Sequence, residues 1–193
     1  MGLQQSQAIL NMLQGGDRRS IGRSHCVVAT VRRDPALFPV LMYGLGHADE
    51  LVRMRAADAA EKLTATNPQW LRPFKRRLMN LAARVKQQEL RWHLAQMLPR
   101  LELSRKDRAV AVAILRRYLG DRSRIVKTFA MQGLFDLAIQ DARLLAPIRR
   151  VISSLNRTGS PAMKSRGRKL LLQLGPPTLP RHAPDSSQRR PRN

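Results

Sequence analysis

Four fourteen-residue stretches of this chain align without gaps, and their spacing constrains the fold more than any other feature. They run over 50–63, 88–101, 124–137 and 161–174, offset by 38, 36 and 37 residues. The third place is always apolar (Val52, Leu90, Val126, Met163), and the fourth is always cationic (Arg53, Arg91, Lys127, Lys164). The seventh place holds Ala56, Leu94, Ala130 and Gly167; the eleventh holds Ala60, Leu98, Leu134 and Leu171. Leucine closes each copy, at Leu63, Leu101, Leu137 and Leu174. Residues at these four intervals share one helical face. A fainter copy over 20–33 puts Arg23 in the cationic place and Cys26 in the seventh, so the array is expected to begin there.

Second helices are expected between the copies, over 34–45, 69–85, 104–119 and 142–155. Asp34–Pro35 and Asn67–Pro68 read as N-caps followed by proline at the first helical position, where the missing N–H costs nothing. Ser104 with Asp107 three residues on resembles a capping box. Asp17, Asp121 and Ser160–Pro161 are expected to open first helices. No segment alternates with period two over a convincing length, so the fold is expected to be all-α. Two helices per unit of about 37 residues, each unit burying its face only against its neighbours, describe an α-solenoid.

The run Asp49-Glu50-Leu51-Val52-Arg53, followed by Ala56, Ala57, Ala59, Ala60 and Leu63, resembles the first helix of a HEAT repeat. The resemblance covers 17–174 and is best at 49–85 and 121–155. It implies a short right-handed α-solenoid of about four HEAT-like helix pairs plus a terminal helix, and partner binding in a general sense. The third unit departs from the family by carrying Gln87 where Asp is preferred, and the last unit offers only its first helix. Uncharged residues 1–14, with Leu3, Leu10 and Leu13, are expected to form an N-terminal capping helix ahead of a repeat domain over 15–174. The proline-rich stretch 175–193 is expected to be a disordered basic tail.

Charge decides which partners to consider. The 193 residues hold 36 Lys and Arg against 13 Asp and Glu, a net charge of +23. Only +3 of that lies in 175–193, so the repeat body itself is basic. Arginines outnumber lysines 29 to 7, a ratio suited to bidentate phosphate recognition but equally produced by coding bias. A single cysteine, Cys26, excludes a disulfide framework and a Cys-based zinc knuckle. No apolar run approaches the roughly twenty residues that span a bilayer. A soluble, cytoplasmic monomer without metal or cofactor is expected.

Two sets of cations stand out. The column Arg23, Arg53, Arg91, Lys127 and Lys164 could be a phosphate ladder. The resemblance to HEAT repeats favours a packing role, with Asp49 and Asp121 as natural partners. The second set, Lys75-Arg76-Arg77, Arg116-Arg117 and Arg149-Arg150, recurs on the second helices beside the apolar residues Phe74, Leu115 and Ile148. In solenoids of this kind the second helices usually line the concave face, so these residues are the candidate polyanion-binding set. First helices add Arg18, Arg19, Arg32, Arg33 and Arg55, which spreads the charge beyond one groove. Trp70 and Trp92 read as packing residues, which argues against base-specific readout.

The favoured expectation is a non-catalytic scaffold that docks nucleic acid, DNA or RNA, through its phosphates without strong sequence preference. The alternative is a protein–protein scaffold for an acidic partner. A HEAT-like DNA glycosylase or a chromophore-lyase-type enzyme is a third, disfavoured reading. Asp58 and Glu61 are expected to face solvent, and no Trp stands one turn from an Asp. His25, His47, His93 and His182 show no metal-ligand spacing. The opening MGLQQS formally fits a myristoylation pattern, for which one acyl chain would need the polybasic surface as a second signal.

Overall fold

Proline placement decides where this chain is α-helical and where it tightens. In the computed structural model, which describes residues 3–17 and 20–175, the protein is all-α. The described residues form ten α-helices: α1 (Leu3–Leu13), α2 (Ser24–Arg33), α3 (Phe38–Gly44), α4 (Glu50–Thr66), α5 (Lys75–Arg84), α6 (Gln88–Met97), α7 (Arg105–Tyr118), α8 (Arg124–Ile139), α9 (Ala142–Thr158) and α10 (Pro161–Gln173). Three 3-10 segments, Pro35–Leu37, Pro68–Phe74 and Leu98–Arg100, each contain proline near the start. Two expected second helices are therefore shorter than their apolar patterns. Pro68 and Pro73 hold 68–74 in 3-10 form, and α5 begins only at Lys75. With Pro68 before it, Pro73 offers no N–H and crowds the preceding turn, which favours the tighter form here, whereas α9 accommodates the single Pro147.

The caps follow local side-chain chemistry. Asp49, Ser104, Ser123, Asp141 and Ser160 each accept a hydrogen bond from a backbone N–H in the first turn of the helix that follows. Asn67 instead donates from Nδ2 to the Leu63 carbonyl, closing α4 rather than opening the next segment. The helix expected to open at Asp121 is capped two residues later: Asp121 accepts the Ser123 N–H at 2.8 Å, and Ser123 caps α8.

The repeat face is the core. Val52, Ala56, Ala60 and Leu63, then Leu90, Leu94 and Leu98, then Val126, Ala130, Leu134 and Leu137 are all fully buried. The fainter copy is displaced: Val27, Val28 and Val31 are buried on α2, while Cys26 is only half-buried. The helices α2, α4, α6, α8 and α10 pack each against the next in one layer. The helices α3, α5, α7 and α9 form the second layer and touch one another far less. Gly133 sets the approach of α8 to α6. A Cβ there would sit 2.6 Å from the Ala95 carbonyl oxygen, so only glycine lets α8 lie this close to α6.

At the front end, α1 lays Ile9 and Leu13 onto α2, α3 and α4. The linker after it does not begin a helix at Asp17; it wraps around Arg55. This arginine is 1% exposed, although its neighbours on α4 suggest a surface charge. Its guanidinium donates to the carbonyls of Leu13 (2.9 Å), Gln14 (3.3 Å), Gly15 (2.5 Å), Asp17 (3.1 Å) and Ser20 (3.2 Å). The orphan carbonyls at the end of α1 thus face a buried cation, the favourable sign for a helix C-terminus. Gly15, Gly16 and Gly22 all have positive φ, and a Cβ on Gly22 would come within 2.8 Å of the guanidinium carbon. Residues 1–2, 18–19 and 176–193 lie outside the described residues, and with them the myristoylation pattern's Gly2, the pair Arg18-Arg19 and nearly all of the expected tail.

Candidate functional site

The dibasic pairs sit on the second layer, and the structure divides their labour. Arg77 donates from Nε to the Met42 carbonyl (3.2 Å) and from its terminal nitrogen to that of Tyr43 (3.4 Å), at the end of α3. It also stacks over the Tyr43 ring at 5.0 Å. Forty positions on, Arg117 donates to the carbonyls of Ala82 (3.3 Å) and Ala83 (2.6 Å), at the end of α5. Each second arginine therefore caps the C-terminus of the preceding second-layer helix. Tyr118 reinforces this contact by donating its hydroxyl to Ala82 at 2.7 Å, and burial pushes its phenol pKa up. Arg149 turns forward instead, to the carbonyls of Leu174 (2.7 Å) and Gly175 (2.5 Å) beyond α10.

Lys75 is also engaged. Its Nζ lies 2.8 Å from Asp107, and that hydrogen bond, with one from Ser104, holds the Asp107 carboxyl below its usual range. The remaining members of the set are Arg76, Arg116 and Arg150. All three are exposed, and none has a hydrogen-bond or ion-pair partner among the described residues. Since Arg77 and Arg117 make equivalent contacts, Arg76 and Arg116 occupy equivalent places on α5 and α7. Four of the seven candidates hold the protein together, and three project from it.

The cationic column splits as well. Arg53 reaches Gln87 Oε1 at 2.8 Å and the His47 and Ala48 carbonyls, both at 2.8 Å, while Gln87 returns a bond to the Glu50 carbonyl. Arg91 bonds the Val85 carbonyl (2.9 Å) and pairs with Asp121. Both side chains thereby fasten one first helix to the start of the next. Asp49 is not Arg53's partner; its carboxylate is committed to the Leu51 N–H. Gln87, the departure from the family pattern, serves in place of a carboxylate. Arg23 is exposed, and Lys127 and Lys164 are half-buried; none of the three has such a partner among the described residues.

Acidic side chains are mostly taken up internally. Glu61 pairs with Arg100 at 2.5 Å, Glu102 with Arg72 at 2.9 Å, and Asp58 with Lys62 at 2.7 Å. The hydrogen bond from Arg143 holds the Asp141 carboxyl at about 2. Asp58 and Glu61 are largely covered, with 13% and 15% side-chain exposure, rather than facing solvent as expected. Trp70 packs on Phe38, ring centroids 5.3 Å apart. Trp92 borders a small cavity that Asp58 also lines, a neighbourhood invisible in the sequence because the two lie on different helices.

A cleft of about 1070 Å³ opens across the first layer rather than beside the dibasic pairs. Its walls include Arg100, Arg108, Arg166, Phe129, Gln132 and Asp136. Burial pushes the Asp136 carboxyl up, partly offset by the hydrogen bond from Gln132 at 2.8 Å. Among the described residues no group of three or more His, Cys, Asp or Glu side chains is placed to hold a metal ion. No helix among them is long and apolar enough to cross a membrane.

These features define an all-helical protein of stacked helix pairs whose candidate contact residues are unpaired arginines. No family model matches the chain, and no curated protein matches it. Among solved structures, the crystal structure of an engineered protein is similar at a TM-score of 0.54 and 15% identity, covering 88% of this chain and 78% of that one. At that identity the likeness concerns the fold alone.

Proposed function

We propose that this protein is a non-catalytic HEAT-like α-solenoid that docks nucleic acid through its phosphates, with little sequence preference. The observation that carries this reading is how its charge is divided. Carboxylates are drawn into caps and ion pairs, as at Asp58, Glu61, Glu102, Asp107, Asp121 and Asp141. The excess cations are left outside: Arg76, Arg84, Arg116, Arg124, Arg150 and Arg157 are all exposed and unpaired among the described residues. Arginine forks that are not held by protein carboxylates are the groups that exchange counterions for phosphates.

In this reading each dibasic pair works as a unit. Arg77, Arg117 and Arg149 anchor the backbone from which Arg76, Arg116 and Arg150 project. Arg76 and Arg116 are related by the repeat, so one stretch of backbone can meet both. Exposed aromatic platforms are few, Tyr43 being the clearest at 63% exposure, which fits phosphate contact better than base stacking.

The test is fluorescence anisotropy with random-sequence single- and double-stranded DNA and RNA, titrated from low to physiological salt. Binding with a log–log salt slope steeper than about −3, several phosphates engaged, supports the reading. Loss of all binding at physiological salt, with nuclease-insensitive capture of one acidic protein, overturns it in favour of a protein partner.

A further inference from the structure

The cavity beside Trp92 has a chemistry of its own. It encloses about 300 Å³ between the linker, α4 and α6, and Ile21, Met54, Asp58, Glu89, Trp92 and His93 line it. Its volume is at the lower end of small-molecule pockets. Glu89 and His93 lie one turn apart on α6, so both reach the same side of the helix. They are 8% exposed each. Asp58 comes from the neighbouring α4 and brings a second carboxylate.

The hydrogen-bond inventory is one-sided. Asp58 uses only Oδ2, which accepts from Ser24 Oγ at 2.6 Å and Lys62 Nζ at 2.7 Å. Its Oδ1 has no partner among the described residues. Glu89 accepts only a long 3.3 Å bond from Gln88 through Oε1, and no cation among the described residues pairs with it. His93 Nδ1 is buried without a partner. Burial holds this imidazole down at about 4, so it is neutral at pH 7 and one ring nitrogen is an acceptor. Arg55 also borders the cavity, yet its N–H groups are directed to the carbonyls of the linker. What the walls leave open is chiefly acceptors, the Glu89 carboxylate and Asp58 Oδ1, beside the Trp92 indole; Asp58 has Lys62 as its counter-ion and Glu89 has none among the described residues.

A ligand that matches such walls must donate hydrogen bonds and carry positive charge. A buried carboxylate without a counter-ion is costly, and a desolvated cation is attracted by an indole face. We propose that this cavity is a binding site for a small organic cation bearing an ammonium or guanidinium group. Its N–H groups bond Glu89 and the free Oδ1 of Asp58, its charge lies against Trp92, and its carbon part lies against Ile21, Met54 and the His93 ring. Arg55 contributes positive charge to the wall but its N–H groups are committed to the linker, so the open groups favour a donor, and the site is independent of the phosphate-docking surface.

The experiment is an NMR titration of the full chain at constant ionic strength with methylguanidinium chloride and with propylammonium chloride, sodium acetate serving as the control. The site predicts saturable shifts of the Trp92 indole and His93 imidazole resonances with at least one cation. The Trp70 indole, packed on Phe38, and the acetate titration stay silent. Glu89→Gln, which keeps the side-chain shape, weakens the affinity by about tenfold or more while the far-UV circular dichroism is unchanged. Non-saturating shifts, equal responses of Trp70 and Trp92, or unaltered affinity in a folded Glu89→Gln protein overturn the proposal. Should that variant not fold, the wild-type comparison of Trp92 with Trp70 decides alone.

Discussion

Replacing Arg55 with Met removes the buried cation around which the N-terminal linker is built. The side chain keeps similar length, so the loss is chiefly of hydrogen bonds and charge. In the native protein the guanidinium serves five carbonyls, those of Leu13, Gln14, Gly15, Asp17 and Ser20. A hydrogen bond to a charged group is worth about 1.5–3 kcal/mol, but bonds to one fork are not additive and linker carbonyls regain water when it opens. Several such bonds to neutral linker carbonyls are lost together, and we expect Arg55→Met to cost about 3–5 kcal/mol. For a chain of this size that corresponds to a melting temperature lower by roughly 6–20 °C. Arg55→Lys recovers only part of the loss, because three donors on one nitrogen cannot span five carbonyls. Urea denaturation measures the free energy, and amide hydrogen exchange locates it: protection falls first in α1 and the linker, while α6 to α10 keep theirs. A change below about 1 kcal/mol, or loss of protection spread evenly over all helices, would refute the reasoning.

Two further perturbations test other parts of the structure. Gly133→Ala forces a methyl group against the Ala95 carbonyl; separating α8 from α6 is expected to cost about 1–3 kcal/mol by chemical denaturation, and a neutral result would mean that the close approach is unimportant. His93 has its folded-state pKa lowered to about 4 from 6.5 by burial, so below pH 6.5 the unfolded chain binds a proton that the folded chain resists. Stability contributed by His93 is therefore present above pH 6.5 and falls as the pH drops towards 4, by about 3 kcal/mol in all. Stability measured against pH in the wild type and in His93→Gln gives this difference; identical slopes between pH 6.5 and 4 would contradict it.

The core was legible because repetition turned a weak signal into a strong one. A single helix with Ala56, Ala60 and Leu63 on one side says little, but the same spacing at Leu94, Leu98 and Leu101 identifies the buried face. Where the reading failed, the cause was either backbone or distant partners. The apolar pattern of 69–85 does not reveal that Pro73 keeps the first turns in 3-10 form. Arg55 looks like one more surface arginine on α4, since its partners are main-chain carbonyls more than thirty residues away. The nearest clue was Gly15-Gly16 with Gly22, a linker rich in residues that tolerate positive φ. The dibasic pairs were visible as a recurrence, but not the division within them, because helical phase decides which arginine reaches the preceding helix end. The cavity depends on Asp58 meeting Glu89 and His93 across two helices, and only the i, i+4 pair on α6 could be seen beforehand.

The most direct test of the division between anchoring and projecting arginines is the salt dependence of nucleic-acid binding by Arg76→Glu, Arg116→Glu, Arg150→Glu combined. Each projecting arginine that meets a phosphate contributes about 0.9 to the log–log slope on a duplex, so the triple variant should bind with a slope shallower by about 2–3 and an unchanged melting temperature. An unchanged slope, with affinity equal to the wild type, would contradict the account and remove these arginines from the interface.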